Sequence, residues 1–220
     1  MNTPLATPPS PPSDRTRIRR VTENARYDRD TLHAIVDAAC VCHVAFADDK
    51  GTHCIPTACW REGEHLYIHG SNGGRLIKLL GQGVQACVTI THIDGLVLAR
   101  SAFNHSMNYR SAMVYGRFEA VADKAAALDA FMHHLAPGRE HEARPGNAKE
   151  LAATTVMRIS LAEAACKVRS GGPIDDDDDQ HLNVWTGVLP LVTQHGTPVA
   201  DVHNPQPMPS YVRQWADTVK

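Results

Sequence analysis

A mainly β fold, an antiparallel barrel with peripheral helices, is the class this sequence predicts, and two observations predict it. Short apolar runs broken by turn residues follow one another from "CVCHVAFA" at residue 40 to "YRSAMVYGRFEAV" ending at 121, with few helices between consecutive runs. That is the order of a meander and not of a doubly wound parallel sheet. The chain has 220 residues with 43% hydrophobic and 21% charged content, enough to bury one substantial core. A formal net charge of -2 leaves no basic footprint for a nucleic acid. No apolar run approaches the roughly 20 residues that span a bilayer, and "MNTPLATPPSPPSDRTRIRR" lacks the apolar core of a signal peptide. No membrane partner and a cytoplasmic location are therefore expected.

Each element follows from local pattern. Residues 1 to 20 are proline-rich among Ser, Thr and Arg, a composition that cannot bury enough apolar surface to order itself, so a disordered arm precedes a single domain over 21 to 220. "RDTLHAIVDAAC" carries Leu32, Ile35, Val36 and Ala39 at helical spacing behind Asp30 or Thr31 as N-cap. "CVCHVAFA", "THCIPTACW" and "HLYIHG", separated by "DDKG" and "REGE", read as a three-strand meander. Pro56 cannot donate to a ladder, so its strand has a free edge or a bulge there, open to a ligand. A short helix runs to about Leu80, and "VQACVTIT", "GLVLARSAF" and "YRSAMVYGRFEAV" read as three further strands. "DKAAALDAFMHHLAPGR" gives a helix over about 122 to 135, stopped by Pro137 and Gly138. A short helical piece at "NAKELAA", one strand over "TTVMRISLAEAACKV" and a polar tail complete the chain.

Six cysteines are diluted through a chain with no export signal, which favours reduced thiols over a disulfide framework. Cys40 and Cys42 lie on one strand and Cys54 and Cys59 on the next, with His43 and His53 near. No C-x-x-C or H-x-x-x-H knuckle spacing appears, so these thiols read as small core hydrophobes and no metal site is assigned.

Two segments carry chemistry. "HGSNGGR", residues 69 to 75, lies between a strand and a helix and is neither a Walker A loop nor a G-x-G-x-x-G fingerprint. Its glycines allow close backbone approach, Ser71 adds a hydroxyl and Arg75 a two-pronged donor, a set suited to phosphate oxygens. The competing reading is a strand-to-helix turn in which glycine serves backbone geometry alone. "NHSMNYRS" is unusually polar for a segment entering a strand. Alternation sends Asn108 and Arg110 to one face and Tyr109, Ser111 and Met113 to the other. One polar face meets something other than core, either a ligand or solvent.

The order "IPTACW", "LYIHGSNGGRLIKLL", "VQACVTIT" and "NYRSAMVYGRFEAV" resembles the pyridoxamine 5'-phosphate oxidase-like FMN-binding split barrels. Within that family it is similar to the branch related to nitroimidazole reductases, and "KVRSGGPIDDDDD" with "VWTGVLPL" resembles an extension, from about residue 163, in a flavin-nucleotide-binding subgroup. The resemblance implies a split antiparallel β-barrel and a homodimer with FMN at its interface. It implies that His69, Gly70, Ser71, Gly74 and Arg75 hold the phosphate and ribityl end. Ile55, Pro56 and Thr57 would lie along the isoalloxazine, and Asn108, Arg110 and Ser111 would help bind the phosphate. The arginine-initiated, lysine-terminated motif of the true oxidases and their C-terminal arginine-histidine pair have no equivalent here, which argues against pyridoxamine phosphate as the small-molecule substrate.

The tail leaves alternatives open. Trp185 is either a core residue or a cover for a flavin face, and Lys167 and Arg169, two apart on a strand, are either surface charge or contacts to an anionic cofactor. The aspartates from Asp175 to Asp179 lack the alternating spacing of a calcium loop and read as a solvated loop. Three functions are consistent with these residues. The first is an FMN-dependent oxidoreductase taking electrons from a nicotinamide, with His69 as proton donor because imidazole titrates near neutral pH. The second is a flavin-binding module without turnover. The third is a haem-binding barrel in which one of the thirteen histidines is axial ligand.

Overall fold

The computed structural model describes residues 10 to 217. Its strands are β1 (Ala25–Arg26), β2 (Val41–Asp48), β3 (Gly51–Glu62), β4 (His65–Ser71), β5 (Ala86–Leu98), β6 (Ser106–Gly116), β7 (Glu119–Ala120), β8 (Thr154–Ser160), β9 (Ala164–Arg169) and β10 (Gly187–Pro190). The helices are α1 (Arg29–Asp37), α2 (Arg75–Gly81), α3 (Lys124–Leu135), α4 (Ala148–Ala153) and α5 (Ser210–Ala216). The strands pair antiparallel in the order β1-β9-β6-β5-β2-β3-β4-β8-β7, with β10 added to β5.

Strand β3 makes the split. Its residues 51 to 58 pair with β2 and residues 59 to 62 with β4, so one strand runs through both halves of the barrel. Over its first part β3 has no neighbour on the far side among the described residues, and Pro56 stands on that free edge as a residue without an N–H requires. Alternation then builds the core. Cys42, Val44 and Phe46 of β2, Val88 and Ile90 of β5 and Ala112 and Val114 of β6 point inward, closed off by Leu32, Ile35 and Val36 of α1. A second cluster, Trp60, Tyr67, Ala127 and Val156, lies under α3. Among the described residues no helix is long and apolar enough to cross a membrane.

Several elements differ from expectation. The α1 cap is Asp28, whose carboxylate accepts from the Thr31 amide at 2.8 Å, rather than Asp30 or Thr31. The two strands expected over 84 to 103 are one strand, β5, because Asp94-Gly95 forms a bulge and not a turn. The single strand expected over 154 to 168 is two, β8 and β9, serving different halves of the barrel. Residues 1 to 9 of the proline-rich arm lie outside the described residues. Further along the same segment Thr16 is 1% exposed, Ser13 Oγ donates to Glu163 Oε1 at 2.6 Å and the Arg15 guanidinium forks onto Glu163 while covering the Tyr115 ring at 4.9 Å. Three charge-assisted bonds and a ring contact hold what composition alone describes as flexible.

The thiols divide by position. Cys42, Cys59 and Cys166 are buried in the core, where burial pushes the Cys166 thiol up to about 12, while Cys40 and Cys54 are exposed. Buried, undissociated thiols of this kind are unreactive packing groups.

Candidate functional site

The junction "HGSNGGR" joins β4 to α2, and its glycines do different work. A Cβ on Gly70 would lie 2.9 Å from Ile77 Cγ1, so its missing side chain is what lets α2 pack on β4. Gly74 caps α2 and donates its amide to the Ser71 carbonyl at 2.8 Å; a Cβ there would meet that same oxygen at 3.0 Å. Gly73 has open space around it, with only the Ser71 hydroxyl near. Past the glycines, Arg75 Nη2 donates to Asp48 Oδ2 at 2.8 Å and touches His53, which itself meets Asp48 at 2.8 Å. The Arg75 guanidinium and His53 hold the Asp48 carboxyl well below the usual carboxylate range. Arg75 stays half exposed, and with Lys50, Gly73 and Lys78 it lines a cleft of about 420 Å³. Asp48 and Asp49 line the same cleft, so its three cations stand against two carboxylates, one of them already paired with Arg75.

His69 points elsewhere. Its ring centroid is 4.8 Å from that of Phe131 and 5.9 Å from that of Trp60, on the α3 side of β4. Burial there lowers its pKa, so the ring is neutral at pH 7, and its buried Nδ1 has no hydrogen-bond partner among the described residues.

The polar strand start belongs to β6, and its two faces separate as alternation requires. Arg110 forks onto Asp94 at 2.9 and 3.0 Å, and Asn108 donates to the Gly171 carbonyl at 3.1 Å and accepts from Arg169 at 2.6 Å. The opposite face is the outer surface of the main sheet. Cross-strand register places His43 and Pro56, Thr89 and Met113, and Ser111 and Lys167 side by side upon it. Val41, Ile93 and Met113 are 49%, 40% and 41% exposed on this face. Lys167 makes no ion pair among the described residues, and Ser111 Oγ donates to its carbonyl at 3.3 Å. Ile55 and Thr57 turn to the core side, so of the expected trio only Pro56 presents its side chain outward. Trp185, 68% exposed over Gly187, is not a core residue. Asp175, first of the acidic run, is not solvated but bound by Arg100 through backbone and guanidinium at 2.7 and 2.8 Å.

The structure therefore gathers two groups, not one. Arg75 is tied to Asp48 at one end of β2, while His43 near the other end is about 17 Å away at the rise of a strand. Arg110 lies farther still, opposite His92 on β5. Beside it is a feature the sequence does not signal. β2 pairs with β5 as far as Thr89 and β10 pairs with β5 from Gly95, and the gap between them is a cavity of about 730 Å³. Ile90, Ile93, Leu191, Val192 and three imidazoles, His43, His92 and His195, line it. A four-residue strand in a polar tail has no periodicity from which to foresee such a cavity.

Comparison with known proteins places this geometry. Residues 28–168 match the family model described as pyridoxamine 5'-phosphate oxidase. The chain belongs to that family. No curated protein matches it. Among solved structures it is similar to the flavocytochrome Anf3 from Azotobacter vinelandii, with 43% identity over 94% of this chain and 99% of that one at a TM-score of 0.89. It is similar to the FAD and haem binding protein from Mycobacterium smegmatis, with 36% identity over 87% and 97% at a TM-score of 0.84. A protein from Bacteroides thetaiotaomicron named for 5-nitroimidazole antibiotic resistance shares the fold, at 24% identity over 66% and 86% with a TM-score of 0.55. The family match stops inside β9, whereas the first two structures extend along the tail.

Proposed function

We propose that the protein is a homodimeric flavin- and haem-binding oxidoreductase. The observation that carries the flavin reading is the outer face of the main sheet, where Ser111 and the uncommitted Lys167 stand among exposed Val41, Ile93 and Met113. Apolar area interleaved with a few donors suits a flat ring bearing a phosphate, and apolar area of this kind on a sheet marks an association surface. The dimer rests on that exposed apolar face; Arg110 lies on the opposite face of β6, paired with Asp94.

The FMN expected from the sequence and FAD share ring, ribityl chain and first phosphate. FAD is favoured here, because a relative at 36% identity is named for FAD and haem. Flavin supplies hydride and electron chemistry when bound, and this chain's residues orient it and exclude water. A nicotinamide is the electron donor. The departures from the true oxidases still argue against pyridoxamine phosphate as acceptor.

The test is the absorption spectrum of the purified protein, acid extraction of its flavin for chromatography, and anaerobic addition of NADH or NADPH. Flavin bleaching with reduction of a Soret band is expected, and the extract identifies FAD or FMN. A protein that takes up no flavin overturns the reading. One that takes up flavin but stays oxidised with both nicotinamides is a flavin-binding module instead.

A further inference from the structure

We propose that His195 is an axial ligand to a haem seated in the cavity between the ends of β2 and β10. This rests on the haem-binding reading above and assigns the residue.

The fit is tested by what lines the cavity. Its walls are apolar at Ile90, Leu191 and Val192 and charged at the Asp94–Arg110 pair, and its volume of about 730 Å³ is within the range of cofactor sites. Among the described residues no group of three or more His, Cys, Asp or Glu side chains converges to hold a bare metal ion. A haem iron brings its own four nitrogens and asks the protein for only one or two ligands.

Hydrogen bonding selects among the three imidazoles. His92 spends Nε2 on the Ile35 carbonyl at 3.0 Å. Among the described residues His43 has no hydrogen-bond partner that would set its tautomer or fix its ring. His195 Nδ1 lies 2.8 Å from the Trp215 carbonyl, an acceptor only, so Nδ1 carries the proton and Nε2 keeps its lone pair. Nε2 makes no hydrogen bond among the described residues. A ring nitrogen freed by a carbonyl on the opposite nitrogen is how metal-ligating histidines are usually held.

The segment bearing His195 is anchored on both sides. β10 pairs with β5 before it. After it, the Tyr211 hydroxyl of α5 donates to Glu142 at 2.6 Å, Arg139 donates to that hydroxyl at 3.0 Å, and the Tyr211 ring lies over Gly138. One comparison points the same way. The structure named as a flavocytochrome covers 94% of this chain and so extends into the tail.

The experiment compares full-length wild type, His195→Ala and His105→Ala after reconstitution with hemin. Stoichiometry is read by the pyridine haemochrome assay and axial ligation by resonance Raman of the ferrous protein. His105 is the control because its Nδ1 also meets a carbonyl, that of Ser101 at 2.9 Å, but away from the cavity. Expected is one haem per wild-type chain with an Fe–His stretch. His195→Ala should lose the stretch and at least about tenfold in haem affinity, recover ligation with added imidazole, and keep its melting temperature because the residue is exposed. His105→Ala should match wild type. Unchanged affinity and an unchanged stretch in His195→Ala overturn the assignment and leave the haem reading standing. A wild type that takes up no hemin overturns both.

Discussion

Gly95 decides whether the tail can dock. A Cβ at this position would lie 3.0 Å from Val188 Cγ1 and 3.1 Å from the Leu189 carbonyl oxygen, and the second of these is backbone and cannot rotate away. Gly95→Ala therefore has to push β10 off β5. Overpacking of this kind costs about 1 to 3 kcal/mol. β10 has little to set against it. Its register covers Gly187 to Pro190, four residues, whose ladder bonds are worth about 0.5 to 1.5 kcal/mol each. Ordering those residues costs about 1 to 2 kcal/mol each, which offsets much of that gain, so the hold that remains is of the same order as the clash. The assay is hydrogen exchange of the amides of Gly187, Val188, Leu189 and Leu191 in full-length protein, with Gly196→Ala, which has nothing within 4 Å of its Cβ, as control. Exchange there should rise about five- to 150-fold in Gly95→Ala while core amides of β2 and β6 keep their protection. Unchanged protection of those four amides would refute the reasoning.

Three further outcomes are expected. Arg75→Ala should weaken flavin binding by about 1.5 to 3 kcal/mol in a fluorescence titration, the worth of a hydrogen bond to a charged group, without changing the far-UV spectrum. Met113→Asp places a charge on the exposed apolar face and should convert the dimer to monomer in sedimentation velocity; a dimer that persists removes this face from the interface. Glu163, held at about 2 by Arg15 and then Ser13, against 4.5 in the unfolded chain, contributes stability that is present above about 4.5 and lost as pH falls toward 2. Proteolysis after Arg15 should accelerate across that acid window, and Glu163→Gln should be cut as fast at pH 7.

Strands with strong alternation were legible in the sequence. "CVCHVAFA" and "THCIPTACW" show their inward and outward residues in the letters, and Pro56 names its own free edge. Helices with a capping residue and an apolar stripe were legible too, although Asp28 wins the α1 cap over two adjacent candidates because its carboxylate reaches the Thr31 amide. What local pattern cannot show is where a punctuating pair is a bulge. Asp94-Gly95 has turn composition, yet it continues β5 because β10, some ninety residues later, needs the space above Gly95. The break between β8 and β9 is hidden for the complementary reason. "SLAEAA" contains no glycine or proline, and only the two halves of the barrel, pulling on either side of it, require the chain to turn.

The same distinction runs through the site. Residue types were readable, since glycines, Arg75 and a polar β6 start announce a place for an anion. Their allegiance was not. Arg75 and Arg110 each spend a guanidinium on a carboxylate, Asp48 and Asp94, that lies far from them in sequence and cannot be paired by spacing. His69 looks like a titrating residue beside a glycine turn, but its strand turns it toward Trp60 and Phe131, and burial keeps it neutral. His195 presents the reverse case. Nothing around it in "LVTQHGTPVA" singles it out, and what distinguishes it is a carbonyl twenty residues on, in α5, that sets its tautomer over a cavity made by two strand ends. A histidine's chemistry follows from what its other nitrogen holds, and for His195 that partner is supplied only by the folded tail.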